Sequence, residues 1–93
     1  MRFGWDDEKN RRNLAKHKVS FELARLVFDD PLHISIPDPF ESEERWRTLG
    51  LVKGVVVLLV VHTVEEQNGE EAIRIIPARK ATRLERKAYE GSR

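Results

Sequence analysis

Residues 55–62 read VVVLLVVH. Seven consecutive apolar side chains, most of them β-branched, predict a strand covered on both faces and therefore central in a sheet. Upstream, residues 45–51 alternate: Arg45, Arg47, Leu49 and Leu51 share one face, and Trp46, Thr48 and Gly50 the other. Lys53-Gly54 is a tight turn between the two strands. Downstream, Asn68-Gly69 is a hairpin signal that leads into a last strand, Ala72 to Pro77. Pro77 donates no ladder bond, so that strand is expected to end, or to lie at an edge, there.

Upstream of this meander the chain supplies two more short strands and two helices, and a third helix follows it. Arg2 to Trp5 reads as an opening strand with Phe3 and Trp5 on one face. Asp6 can cap a helix that has Asp7 and Glu8 in its first turn and runs to about Lys16–Lys18. Its core candidates are Leu14 and Ala15, and Asn10, Asn13 and His17 make a polar stripe, either a wet surface or the wall of a groove. Ser20 caps a second helix with an apolar band of Phe21, Leu23, Ala24, Leu26, Val27 and Phe28, stopped by Asp29-Asp30-Pro31. Leu32 to Ile36 is a short strand closed by the loop PDPFES. Thr82-Arg83-Leu84-Glu85 is a capping box that starts a terminal helix, expected to end before Gly91. The expected order is β-α-α-β-β-β-β-α: an α+β fold, an antiparallel sheet with helices packed on one face.

Ninety-three residues predict one domain, 1–93, with a modest core that buries ~60–65% of the unfolded surface. The absence of cysteine argues for a reducing, cytoplasmic home, and MRFGWDDEKN has no apolar segment of a signal peptide. The apolar run at Val55 is too short to span a bilayer, so no membrane role is expected.

The net charge of +1 hides a polarity. Between Asp29 and Glu44 lie six acids (Asp29, Asp30, Asp38, Glu41, Glu43 and Glu44) and no Lys or Arg. Residues 74–93 reverse this, with Arg74, Arg79, Lys80, Arg83, Arg86, Lys87 and Arg93 against Glu85 and Glu90. Such a run is either a solvated surface or a phosphate-binding patch.

No metal or cofactor is expected: His17, His33 and His62 share no ligand spacing, and no Gly-rich phosphate loop is present. His62 ends the central strand, where it is either a histidine hydrogen-bonded to backbone or an acid–base group. Arg74 inside a strand needs a carboxylate or an anionic ligand. Arg79, Lys80 and Arg83 beside the amides of a helix start would suit a phosphate. Tyr89 suits the core better than a site. Metal-free phosphodiester cleavage needs a group to deprotonate the ribose 2′-OH, guanidinium charge for the phosphorane and an acid for the leaving oxygen. His, Lys, Tyr and Arg can supply all three. A non-catalytic RNA- or DNA-binding module would use the same cations, and a pure protein-interaction domain would need no affinity for nucleic acid.

Read together, FGWDDEKNRRNLAKHKVSFELARLVFDDP, then ERW with Gly50, VVHT, RIIPARKAT and ERKAYE, resemble BrnT-type toxins over nearly the whole chain. These are ribonuclease toxins of bacterial type II toxin–antitoxin pairs with a RelE-like fold. The resemblance implies an endoribonuclease that inhibits translation. It also implies a BrnA-like antitoxin that dimerises and carries the DNA contact, giving a heterotetramer of two toxins and two antitoxins. On that reading the positions suited to catalysis are Arg45, His62, Arg74 and Arg79. Lys16, His17, Lys80, Arg83 and Tyr89 would contact RNA. Before Ala78-Arg79, where the resemblance implies a serine, this chain has Pro77.

Overall fold

The computed structural model describes residues 1–39 and 44–91. Glu41 and Glu43 of the acidic loop, and Arg93, lie outside the described residues. Val55 is exposed in a turn, and from Val56 on the apolar run falls in β4 (Val56–Gln67), the middle strand of a five-stranded sheet. It pairs antiparallel with β3 (Trp46–Val52) and with β5 (Glu70–Lys80). β2 (Ile34–Pro37) adds to β3, also antiparallel. β1 (Arg2–Gly4) lies outside β5 and runs parallel to it, a departure from the wholly antiparallel sheet expected. No hairpin ties β1 to its neighbour, so no turn imposes the antiparallel direction.

The turns behave as their residues demand. Asn68 and Gly69 adopt φ 53° and 78°, the left-handed pair that a two-residue hairpin requires. At Pro77 the expectation fails, because β5 continues to Lys80. Val60 pairs with Ala78 while His62 pairs with Ile75, so Ile76 and Pro77 together oppose Val61. A residue without an N–H is tolerated at such a bulge, where the ladder is already interrupted.

Helices cover both faces rather than one. α1 (Asp7–His17) leads to α2 (Phe21–Ala24), which tightens into a 3-10 turn over Arg25–Asp29. Phe21, Ala24 and Val27 from this segment bury Leu58 and Val60 of β4 with Ile73, Ile75 and Ala78 of β5. α3 (Arg83–Gly91) lies on the other side, where Tyr89 packs with Val57, Leu59, Leu49 and Ala81. A central strand apolar on both faces needs cover on both. The 3-10 turn also explains Gly50: a Cβ there would meet Val27 Cβ at 2.7 Å.

α1 is held by its amides rather than by Leu14 and Ala15, which are exposed. Its buried residue is Asn13, whose Nδ2 donates to the carbonyls of Val19 and Ala78, both at 2.8 Å. Asn13 Oδ1 accepts the Ala78 N–H at 3.1 Å. Pairing with β1 stops at Arg74, so this side-chain amide satisfies the β5 edge that a further strand would otherwise cover. Asn10 fastens the start of α2, accepting the Phe21 N–H at 2.8 Å and donating to Glu22 at 2.9 Å. Asn10 and Asn13 of the polar stripe are thus fastenings rather than groove wall. Among the described residues, no helix is long and apolar enough to cross a membrane.

Candidate nucleic-acid interface

Directly opposed residues in neighbouring strands point to the same side of a sheet. Arg74 opposes Thr63, Arg79 opposes Leu59, and Arg47 opposes Val61. Leu59, Val61 and Thr63 alternate along one side of β4, so the three arginines share that side, the one α3 partly covers. α3 closes it over Leu49, Val57 and Leu59. Towards Arg74 it is open, a groove of 380 Å³ bordered by Arg74 and Thr63. Arg45 stands one residue before β3, half-buried, and its carbonyl accepts the Asp38 N–H at 2.8 Å.

The arginines differ in their electrostatic state. Arg74 is exposed and takes part in none of the ion pairs among the described residues. Arg47 Nε lies 2.8 Å from Oδ1 of the buried Asp38. Arg79 is gripped by both oxygens of Glu85, Nη1 to Oε1 at 2.8 Å and Nη2 to Oε2 at 3.0 Å. These hydrogen bonds from Arg79 are the main reason that the Glu85 carboxyl is lowered to a pKa of about 2. The capping box forms as expected: Glu85 Oε1 accepts the Thr82 N–H at 2.8 Å, and Thr82 Oγ1 accepts the Glu85 N–H at 3.2 Å. Consequently the expected phosphate site at this helix start is filled, in the free protein, by the carboxylate of Glu85.

His62 does not join the arginines. It opposes Ile75 and lies on the α2 side with Leu58 and Val60, 2% exposed. Its Nδ1 is 3.3 Å from the Thr63 carbonyl, which can only accept, so Nδ1 donates. Nε2, 2.7 Å from Thr48 Oγ1, then accepts, and Thr48 in turn lies 2.7 Å from Ser35 Oγ. The Phe28 ring stands edge-on at 4.9 Å, and burial pushes the His62 pKa below its ordinary value. A second recess of 330 Å³ on this side is bordered by His62, His33, Ser35 and Trp46. The expectation of His62 beside Arg79 is corrected by the two-residue period of the strand.

The secondary candidates also separate. Tyr89 is 1% exposed, and its hydroxyl donates to Asp30 Oδ2, so it is a core residue and not an RNA contact. Lys80 opposes Leu58 at the end of β5 and borders a cleft with Arg86 and Glu90. Lys16 and His17 stand on α1, one turn beyond Asn13, which fastens that helix to Ala78 of β5. Arg83 is exposed on α3, close to the Arg79–Glu85 pair. Arg47 and its holder Asp38 were not picked out from sequence, although the alternation of β3 already places Arg47 with Arg45. Among the described residues no three His, Cys, Asp or Glu side chains converge on one point.

Fold and face together describe a small α+β protein with three arginines on one side of its sheet. The family profile described as "Ribonuclease toxin, BrnT, of type II toxin-antitoxin system" matches residues 5–85, and the chain belongs to that family. It is similar to the crystal structure of the Brucella abortus ribonuclease toxin, BrnT, with a TM-score of 0.64 and 29% identity, covering 89% of this chain and 99% of that one. No curated protein matches it. Family membership makes the chain a ribonuclease toxin and implies an antitoxin partner.

Proposed function

We propose that this chain, as one toxin domain, is an endoribonuclease that cleaves RNA through the ribose 2′-OH without a metal, stops translation, and acts on the arginine-bearing side of the sheet. The observation that carries the reading is the register that puts Arg47, Arg74 and Arg79 on that one side. Guanidinium groups are fixed donors for the charge that grows on a phosphorane, the role a metal fills elsewhere. Arg74 is ready to receive a phosphate, whereas Arg79 receives one by exchanging the carboxylate of Glu85 for it. The test is incubation of purified protein with RNA in EDTA. Cleavage that leaves 2′,3′-cyclic phosphate ends is expected, and intact RNA or a requirement for added metal would sink the reading.

One observation favours the alternative of a non-catalytic nucleic-acid-binding module. His33 and His62 both border the recess on the other side, so neither serves as base beside the arginines. Tight, salt-dependent RNA binding with no product would support that reading.

The proposed partner is a BrnA-like antitoxin in a complex of two toxins and two antitoxins, formed in the cytoplasm, with DNA contacted only through the antitoxin. The cations of α3 attract an acidic segment as readily as RNA, and long-range charge speeds such association. That segment can cover Arg79 and Arg83, but not Arg79 and His62 together, which face opposite ways.

A further inference from the structure

Resting on the reading above, we propose that the groove running from Arg74 across β1 is a second subsite, which holds a phosphate of the same RNA strand beyond the bond being cut, with Arg2 as its cation. Arg2 opposes Ala72, and Gly4 opposes Arg74, so both lie on the arginine-bearing side at the β1 edge. The groove of 380 Å³ is bordered by Arg2, Gly4, Thr63, Gln67, Ala72 and Arg74. It continues the arginine side outward without a ridge, because nothing fills the space above Gly4: a Cβ built there meets no atom within 4 Å.

The groove is also furnished for a sugar–phosphate chain. Arg74 carries no ion pair among the described residues, so its charge is uncompensated. Arg2 is held over the groove by the Gln67 side chain, Nη2 to Oε1 at 2.6 Å, and has Glu70 no nearer than 4.0 Å. The Thr63 hydroxyl and Gln67 amide offer donors and acceptors to ribose oxygens. Glu65, which opposes Ala72 from the β4 side and also borders the groove, keeps a phosphate towards Arg2 and Arg74 on the β1 side. An RNA strand laid along the arginines meets these groups in turn, its phosphates reaching Arg74 and Arg2 across the bare floor at Gly4.

The experiment measures binding of a dinucleotide and of a longer single strand, both 2′-deoxy at the cleavage position so that neither is cut, across a salt series. Two variants are compared with the parent: Arg2→Gln, which removes the charge, and Gly4→Val, which fills the floor with a residue suited to a strand. Each is expected to shrink the advantage of the longer strand over the dinucleotide several-fold. Arg2→Gln should also flatten the slope of log K against log salt by about 0.7, one phosphate contact on a single strand. An unchanged advantage and slope in both variants overturn the subsite while the arginine side still binds and cuts RNA. A parent that binds neither ligand overturns both readings.

Discussion

Arg79 and Glu85 meet through two parallel hydrogen bonds, and the same carboxylate closes the capping box of α3 through Thr82. One side chain therefore fixes an arginine and a helix start at once. The folded pKa of Glu85, about 2, lies below its ordinary 4.5, so an unfolded chain takes up the proton first as pH falls. The contribution of the pair is complete above about 4.5 and vanishes towards 2. Glu85→Gln keeps a cap acceptor but loses the charge. It is expected to lower stability by about 1 kcal/mol at pH 7, a value suited to a partly exposed pair. Urea midpoints should show this gap closing at pH 3. A gap of equal size at both pH values would mean that the charge contributes nothing.

Arg74 and Arg79 should separate function from stability. Arg74 is exposed and unpaired among the described residues, so Arg74→Ala is expected to abolish toxicity with a stability change within about 0.5 kcal/mol. Arg79→Ala should abolish toxicity too, but with a loss near that of Glu85→Gln, because it orphans the carboxylate. Lysine at Arg79 lacks the planar fork and should rescue only in part. Growth assays at matched protein levels, beside thermal melts, decide the matter. Full toxicity of Arg74→Ala would remove it from the site.

His62 is expected to weaken the fold as pH falls. Its burial depresses the folded pKa below 6.5, so stability should be whole above about 6.5 and decline as pH falls below it. Thr48→Val removes the donor to Nε2 and should cost about 1–3 kcal/mol, as a buried acceptor left unsatisfied does. Denaturant curves at several pH values test this. A cleavage rate that rises between about pH 5 and 8 and loses that rise in His62→Gln would instead return His62 to the chemistry.

Asn13 should be among the least replaceable residues. Asn13→Ala leaves the Ala78 N–H and carbonyl without their partner and is expected to cost about 3 kcal/mol or more. Asn13→Asp, nearly identical in shape, should do no better, since it sets a carboxylate against two carbonyls. A stable Asn13→Asp protein would contradict this account of the β5 edge.

Antitoxin capture should depend on the cations of α3. Charge reversal at Arg83 and Arg86 is expected to slow association at low salt, with the difference shrinking as salt rises. Stopped-flow mixing with the antitoxin measures it directly. An unchanged rate would leave these cations to RNA alone.

Much of this architecture is legible in the chain, and the failures have definite causes. Asn68-Gly69, Thr82 with Glu85, and the run at 55–62 signal structure through local chemistry, and each forms except that Val55 stays outside the strand. The side on which His62 falls was not legible, because a run apolar on both faces has no alternation to reveal its parity. Asn13 was misjudged because a buried amide satisfying a strand edge looks, in sequence, like any polar helix residue. Tyr89 lies in the core although the resemblance puts it among the RNA contacts, and the parallel pairing of β1 depends on contacts that no local pattern carries.

The two residues of β5 set against Val61 decide more than the fate of a proline. Arg74 and Arg79 are five positions apart, an odd interval, and an unbroken strand would send such a pair to opposite sides. Arg79 would then be driven into the layer beneath α2. The doubled step at Ile76-Pro77 inserts half a period and brings the two guanidinium groups back into phase. Deleting Pro77 would thus be a mirror operation on the strand end: every side chain from Ala78 to Lys80 would change sides, apolar for charged. Two charges that the alternation of the chain sets apart share one surface through a single miscounted residue.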